Sequence, residues 1–388
     1  MASCCCSPGV DGRIDRAVPT QLSLFAEDPN EPAAASNTGP GAPPATGKVA
    51  PAPVPEGVRE LVARLPPRLR LGTSSWSFPG WAGLVYDETA AKTVLSRAGL
   101  TAYAQHPLFA TVGVDSGFYA PLDAGRLARW AAQVPADFRF LVKAPAAVTQ
   151  RFQRDRDGRW RRNPGFLDLD TALRQAVEPY LEGLGERGGV LLFQFPPQGR
   201  NLDARRFAED LYRFLKGLPA GPAYAVEVRD ASVLTPDLAG ALRHGGAVPS
   251  FACHPRLPAL PTQRELFERE PIAGPLVIRW LLRRNRGYDE SRDLYGPFDR
   301  LAEPDPETRQ AIAASVLAAL AQGHEVFVIV NNKAEGSSPL SVLALARAVL
   351  EQPSVGSWHQ RCDNAQTPPA PLTKPSSAAA DPPQPPLR

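Results

Sequence analysis

Eight apolar, β-branched runs recur through the centre of this chain, most of them followed by a stretch of helical character. The runs are Arg70–Ser75, Thr111–Asp115, Arg139–Lys143, Val190–Phe195, Ala223–Arg229, Val248–Cys253, Leu276–Leu281 and Glu325–Asn331. Helical segments are expected at Gly57–Leu65, Ala90–His106, Ala124–Gln133, Phe166–Glu186, Ala204–Leu215, Thr235–Arg243, Pro306–Ala321 and Leu340–Leu350. The link around Thr262–Arg269 carries the weakest helical pattern. Near-continuous apolar strands alternating with helices predict a parallel sheet covered on its outer face. Eight such units in about 280 residues predict an α/β fold, a TIM-like (β/α)₈ barrel. An open doubly wound sheet is the alternative, but no GxGxxG follows the first run, so no dinucleotide-cofactor motif supports it.

The pattern fades at both ends. Twelve prolines precede residue 68 and nine follow residue 352, interleaved with Ala, Gly and Ser. Such composition buries too little apolar surface to offset chain entropy, so 1–56 and 353–388 read as disordered tails around a 57–352 barrel.

Composition narrows the chemistry. Net charge is +3, so no global field marks a nucleic-acid binder, although local asymmetry remains open. Of 43 basic residues only six are Lys, at 48, 92, 143, 216, 333 and 374. Cys4, Cys5 and Cys6 are adjacent while Cys253 and Cys362 stand alone, a pattern that gives no disulfide framework and no zinc site. No apolar run is long enough to span a membrane and no leader precedes the barrel, which points to the cytoplasm.

In barrels of this kind the site is built where the strands end, at their C-terminal face. Those ends carry Trp76, Asp115, Tyr119, Lys143, Gln194, Glu227, Arg229, Arg279, Asn331, Asn332 and Lys333. Alternation along Ala225-Val226-Glu227-Val228-Arg229 puts both charges on the face opposite the valines, pointing into the barrel. Asp115, Lys143 and Glu227 are the candidate acid–base groups, and the others are candidate ligand contacts. A plugging ion-pair network is the alternative reading for the fifth strand. Mg²⁺ held by Asp115 and Glu227 remains open; a multinuclear zinc site lacks the histidines it would need. The lone strand-end histidine, His254, reads as structural. Trp76, Phe78, Trp81 and Tyr86 form either a stacking wall or a hydrophobic lid. Two loops are rich in Arg: Arg151–Arg162, which also holds Trp160, and Arg283–Arg286. Both are expected on the same face, where focused positive charge attracts anions.

These strand ends resemble the YecE-like family, also called domain of unknown function 72, across essentially all of 70–351. The likeness rests on Gly72-Thr73-Ser74-Ser75-Trp76, Trp81-Ala82-Gly83 with Tyr86, Phe118-Tyr119, and Phe140–Pro145 with Thr149. It continues through Leu192–Pro197, Glu227-Val228-Arg229 and Asn331-Asn332. The resemblance implies a TIM-like barrel and no assigned activity. This chain departs from the family pattern at Gly113, where Glu is common, at Asp115 and Gly117, at Gln150, and over Arg279–Leu282.

A second resemblance lies in the N-terminal tail. Gln21-Leu22-Ser23-Leu24-Phe25 is similar to the bacterial sliding-clamp-binding pentapeptide, whose Leu and Phe insert into a partner pocket. Packing of Leu22, Leu24 and Phe25 back on the barrel is the alternative. Three functional readings follow: a clamp-tethered protein holding nucleic acid or nucleotide, an enzyme acting on a small phosphorylated molecule, and a non-catalytic adaptor.

Overall fold

The computed structural model describes residues 49–199, 202–268 and 272–352. Its strands in chain order are β1 (Leu69–Thr73), β2 (Thr111–Val114), β3 (Arg139–Lys143), β4 (Phe152–Arg154), β5 (Trp160–Arg162) and β6 (Gly188–Phe195). Then follow β7 (Ala223–Val228), β8 (Ala247–Cys253), β9 (Leu276–Trp280) and β10 (Val326–Val330). Eight of them close a parallel barrel in the order β1-β10-β9-β8-β7-β6-β3-β2, and β4 with β5 makes a separate antiparallel hairpin. The TIM-like barrel expected from the sequence is therefore present, with each expected run overlapping a barrel strand.

Alternation sorts each strand into two faces. Leu141, Val190, Leu192, Ala225, Val248, Val277, Phe327 and Ile329 fill the barrel interior as a core of their own. The opposite face, with residues such as Val142, Phe193, Val226, Trp280 and Val330, packs under the helices in the larger core. Close strand approach needs glycine at position 72, where a Cβ would lie 2.0 Å from the Thr111 carbonyl oxygen.

Five helices begin at polar caps. Asp123, Asp168, Asp203, Thr235 and Asp305 each accept a backbone N–H from three residues on, satisfying a donor that the helix itself leaves free. Two expected helices are interrupted. The segment Ala90–His106 holds helices Lys92–Ala98 and Leu100–Ala104, parted at Gly99, where a Cβ would crowd the Leu95 carbonyl oxygen at 2.7 Å. The segment Phe166–Glu186 starts at Leu169 and widens into a π turn, Leu173–Val177, just before Pro179, which has no N–H for the ladder. The weak link after β8 is a helix, Leu260–Glu268, and an additional helix, Tyr288–Tyr295, follows β9.

The chain just before residue 56 packs against the segment that follows Trp81. Asp87 N donates to the Ala50 carbonyl and Ala52 N to that of Val85, with Ala52 buried and Val49 and Val54 against the core. Residues 49–54 thus lie against the segment Val85–Asp87 and the outer core. Gln21–Phe25 lies outside the described residues. Among those residues no helix is long and apolar enough to cross a membrane.

Candidate functional site

Above the apolar interior, each strand contributes one polar side chain at the next inward position. Ser74, Asp115, Lys143 and Gln194 come from β1, β2, β3 and β6; Glu227, Ser250, Arg279 and Asn331 come from β7 to β10. Arg229 stands one inward step above Glu227. Lys143, Glu227, Arg229 and Asn331 therefore share one mouth.

In half of this rim the charges pair with one another. Arg279, 1% exposed, reaches from β9 across the mouth and grips Asp115 through Nη2 at 2.8 and 2.9 Å. Its Nη1 lies 3.4 and 3.3 Å from the two oxygens of Glu227. Glu227 also accepts from Arg229 Nε at 2.6 Å and from Ser250 Oγ at 3.4 Å. Burial pushes the Glu227 carboxyl up, but the Arg229 and Arg279 guanidiniums outweigh it and hold the group down at about 2. The cation between Asp115 and Glu227 is the Arg279 guanidinium. Among the described residues no three His, Cys, Asp or Glu side chains gather as metal ligands. Beside them, Asn331 Nδ2 donates to Ser74 Oγ at 2.9 Å, and its Oδ1 accepts the Lys333 N–H at 3.0 Å.

The other half of the rim is uncommitted. Lys143, 7% exposed, places Nζ 4.1 Å above the Phe118 ring and has no ion pair or hydrogen bond among the described residues. Burial lowers its pKa to about 8; Arg279 and Arg229 add to that shift, while Asp115 and Glu227 oppose it. Gln194 is 1% exposed and its Nε2 meets no partner among the described residues. Arg229 spends Nε on Glu227, and its two terminal nitrogens have no acceptor among the described residues. These side chains stand on β3, β6 and β7, which are neighbours in the barrel. With Lys143 protonated, three cations face the two carboxylates Asp115 and Glu227, leaving one net positive charge. His254 adds none: burial first, then Arg229, pulls its pKa down to about 3.

Other expected contacts sit elsewhere. Asn332 Oδ1 accepts from Trp81 Nε1 at 3.2 Å and from Ser338 N and Oγ at 2.8 Å, while its buried Nδ2 meets no partner among the described residues. Lys333 lies over the Tyr288 and Phe298 rings, 4.1 and 5.8 Å from their centres. The Arg283–Arg286 loop folds on protein acceptors: Arg283 Nη1 donates to the Glu303 carbonyl at 2.8 Å and Arg286 Nη2 meets the Glu303 carboxylate at 2.5 Å. Arg284 Nη1 donates to the Leu257 carbonyl at 3.2 Å. A phosphate grip there would have to displace these bonds. Trp76 is buried edge-on against Trp130, while Phe78 stacks on Trp81, so the aromatic group divides.

Two clefts flank the mouth. One, of about 620 Å³, is lined by Ser74, Trp76, Asp115, Tyr119, Arg126 and Trp130 among others. The second, of about 510 Å³, lies between Phe118 and Tyr119 on one side and Phe152 and Trp160 of the hairpin on the other. Tyr119, Phe152 and Trp160 are three of the six large hydrophobic side chains exposed among the described residues. Arg154 lies 4.9 Å from the Trp160 ring, and Arg156, Arg159 and Arg162 are exposed alongside. The Arg151–Arg162 segment, expected to be a loop, is thus a β-hairpin that closes an aromatic cleft. Ser250 escaped the sequence reading; its signal is a single hydroxyl at the inward phase of Val248-Pro249-Ser250.

A closed (β/α)₈ barrel with a polar rim defines the class of protein. The chain belongs to a particular family within it: the model for "Protein of unknown function DUF72" matches residues 70–366. A curated relative, the UPF0759 protein YunF of Bacillus subtilis (strain 168), is 28% identical over 159 residues, which is 40% of this chain and 51% of that protein. The match thus spans about half of the relative's length. A DUF72 family protein of Thermotoga maritima MSB8 shares the fold at a TM-score of 0.50 and 21% identity, over 73% of this chain and 99% of that one. A DUF72 family protein of Enterococcus faecalis V583 does so at 0.51 and 17%, over 73% and 96%.

Proposed function

We propose that this DUF72 barrel binds a phosphate group on the arc formed by Lys143, Gln194 and Arg229, the phosphate belonging to a single-stranded nucleic acid. The observation that carries the reading is the set of uncommitted nitrogen donors on three adjacent strands, with one net positive charge around them. A buried cationic site of that kind is complementary to an anion. The neighbouring cleft supports a nucleic acid over other anions. Bases stack on exposed aromatic rings and phosphates follow Arg side chains, and the hairpin offers both within reach of the mouth. The pentapeptide Gln21–Phe25 favours a sliding clamp as the partner that brings the strand. A free phosphorylated small molecule is the second reading, favoured by how deeply Lys143, Gln194 and Arg229 are buried.

Fluorescence polarisation with a labelled single-stranded oligonucleotide tests this. Binding is expected at low salt, to fall steeply as salt rises, and to weaken about tenfold or more in Trp160→Ala. No binding at low salt would overturn the reading, as would binding indifferent to both Trp160→Ala and a triple Ala variant of Arg159, Arg161 and Arg162.

A further inference from the structure

Lysines are seldom buried without a partner. Lys143 is the exception: its ammonium is confined by the Phe118 ring and is offered no carboxylate or carbonyl among the described residues. The carboxylates that could have paired with it, Asp115 and Glu227, are held by Arg279 and Arg229. The fold thus keeps an amine at the mouth and withholds the groups that would fix it as a cation. Beside it stand the Gln194 Nε2, without a partner among the described residues, and the open end of the Arg229 guanidinium.

We infer that Lys143 is an amine nucleophile that condenses with the aldehyde of a phosphorylated sugar held by Arg229 and Gln194. The inference rests on the anion reading of the mouth, since the phosphate is what brings the carbonyl to the amine. In the step, the Lys143 nitrogen adds to the carbonyl carbon and a C–N bond forms. The carbonyl oxygen then leaves as water, taking the two hydrogens of the neutral amine, and an imine remains. No electrons change hands and no co-reactant is consumed. The amine is available at neutral pH: with its pKa lowered to about 8, roughly a tenth of Lys143 is unprotonated at pH 7, against about one in 2,500 for an ordinary lysine. A protonated imine carries the charge that the ammonium carried, so the balance with Asp115, Glu227, Arg229 and Arg279 is kept. Two sources share this chemistry, a free sugar phosphate and the ring-opened abasic sugar of a nucleic-acid strand.

Reductive trapping separates them. The full chain is incubated either with glycolaldehyde phosphate or with a single-stranded oligodeoxynucleotide carrying one abasic aldehyde, reduced with borohydride, and mapped by peptide mass spectrometry. An adduct is expected on Lys143, in about hundredfold excess over exposed Lys92 and Lys216 at pH 7. Its formation should rise with pH to about 8 and level off, and inorganic phosphate should suppress it. Lys143→Arg and Lys143→Met, each checked for folding by thermal unfolding, should carry no adduct at that position. An adduct from the oligonucleotide alone assigns the site to nucleic acid; one from the small aldehyde alone assigns it to a free metabolite. Labelling confined to Lys333 or spread over surface lysines overturns the inference. If inorganic phosphate raises the melting temperature while neither aldehyde marks Lys143, the nucleophile is refuted and the anion site stands; if phosphate has no effect either, both fall.

Discussion

The two halves of the barrel mouth are built from similar residues and do opposite things. Around Arg279, every charge finds a partner: Asp115 takes two bonds, and Glu227 takes them from Arg229, Arg279 and Ser250. Around Lys143 the donors outnumber the acceptors, and Gln194 Nε2 is left with none. A satisfied buried network rigidifies a core, whereas an unsatisfied one costs stability until something fills it. Burial alone does not mark a site. The mark is burial that the protein leaves unbalanced.

The largest effect should come from breaking the satisfied half. Glu227→Ala leaves Arg229 Nε and Arg279 Nη1 facing each other across an empty space, two buried cations without their common anion. Removing one partner of a buried pair costs about 3–5 kcal/mol. The urea midpoint should fall accordingly with an unchanged slope. A loss below about 1 kcal/mol would mean that water reaches this carboxylate and that the two halves do not differ as described.

The open half should respond in the other direction. Lys143 has its folded-state pKa depressed to about 8 from 10.5, so below pH 8 both states carry the proton and the folded state bears the full cost of burying it. Between those values the unfolded chain binds more protons, and stability rises with pH. Lys143→Met removes the cost, and a gain approaching about 3 kcal/mol is expected at pH 7. The gain should shrink as pH passes from 8 to 10.5. Thermal unfolding across that range checks it, and a destabilised variant at neutral pH would show that the ammonium is satisfied after all.

What the sequence made legible follows the same division between local and distant causes. Alternation in β7 was enough to aim Glu227 and Arg229 inward, and the eight apolar runs were enough for the barrel, because both depend on neighbours in sequence. That Arg279 would bridge to Asp115 is set by the closure of strands far apart in the chain, and no local pattern carries it. The same holds for the Arg283–Arg286 loop, whose charge vanishes into Glu303 only once the loop folds. The contacts of Asn332 are distant too: Trp81 and Ser338 donate to its Oδ1, and no local pattern shows that. The hairpin was half visible, since Arg alternated with aromatics in the segment, while its pairing of Phe152 with Arg162 was not.

Gln194→Met should have the smallest effect on stability. The side chain is 1% exposed and faces Glu227 across the strand pair, yet its Nε2 donates to nothing among the described residues. Methionine keeps nearly the same length and removes the orphaned donor. An unpaired buried donor carries a desolvation cost, so stability should stay level or rise by about 1 kcal/mol. Phosphate affinity should move the opposite way, weakening about tenfold, because a donor bond to a charged group is lost. Calorimetric titration with inorganic phosphate beside urea unfolding reads both numbers on one variant. Stability lost together with unchanged phosphate affinity would place Gln194 in the satisfied half and shrink the anion arc to Lys143 and Arg229.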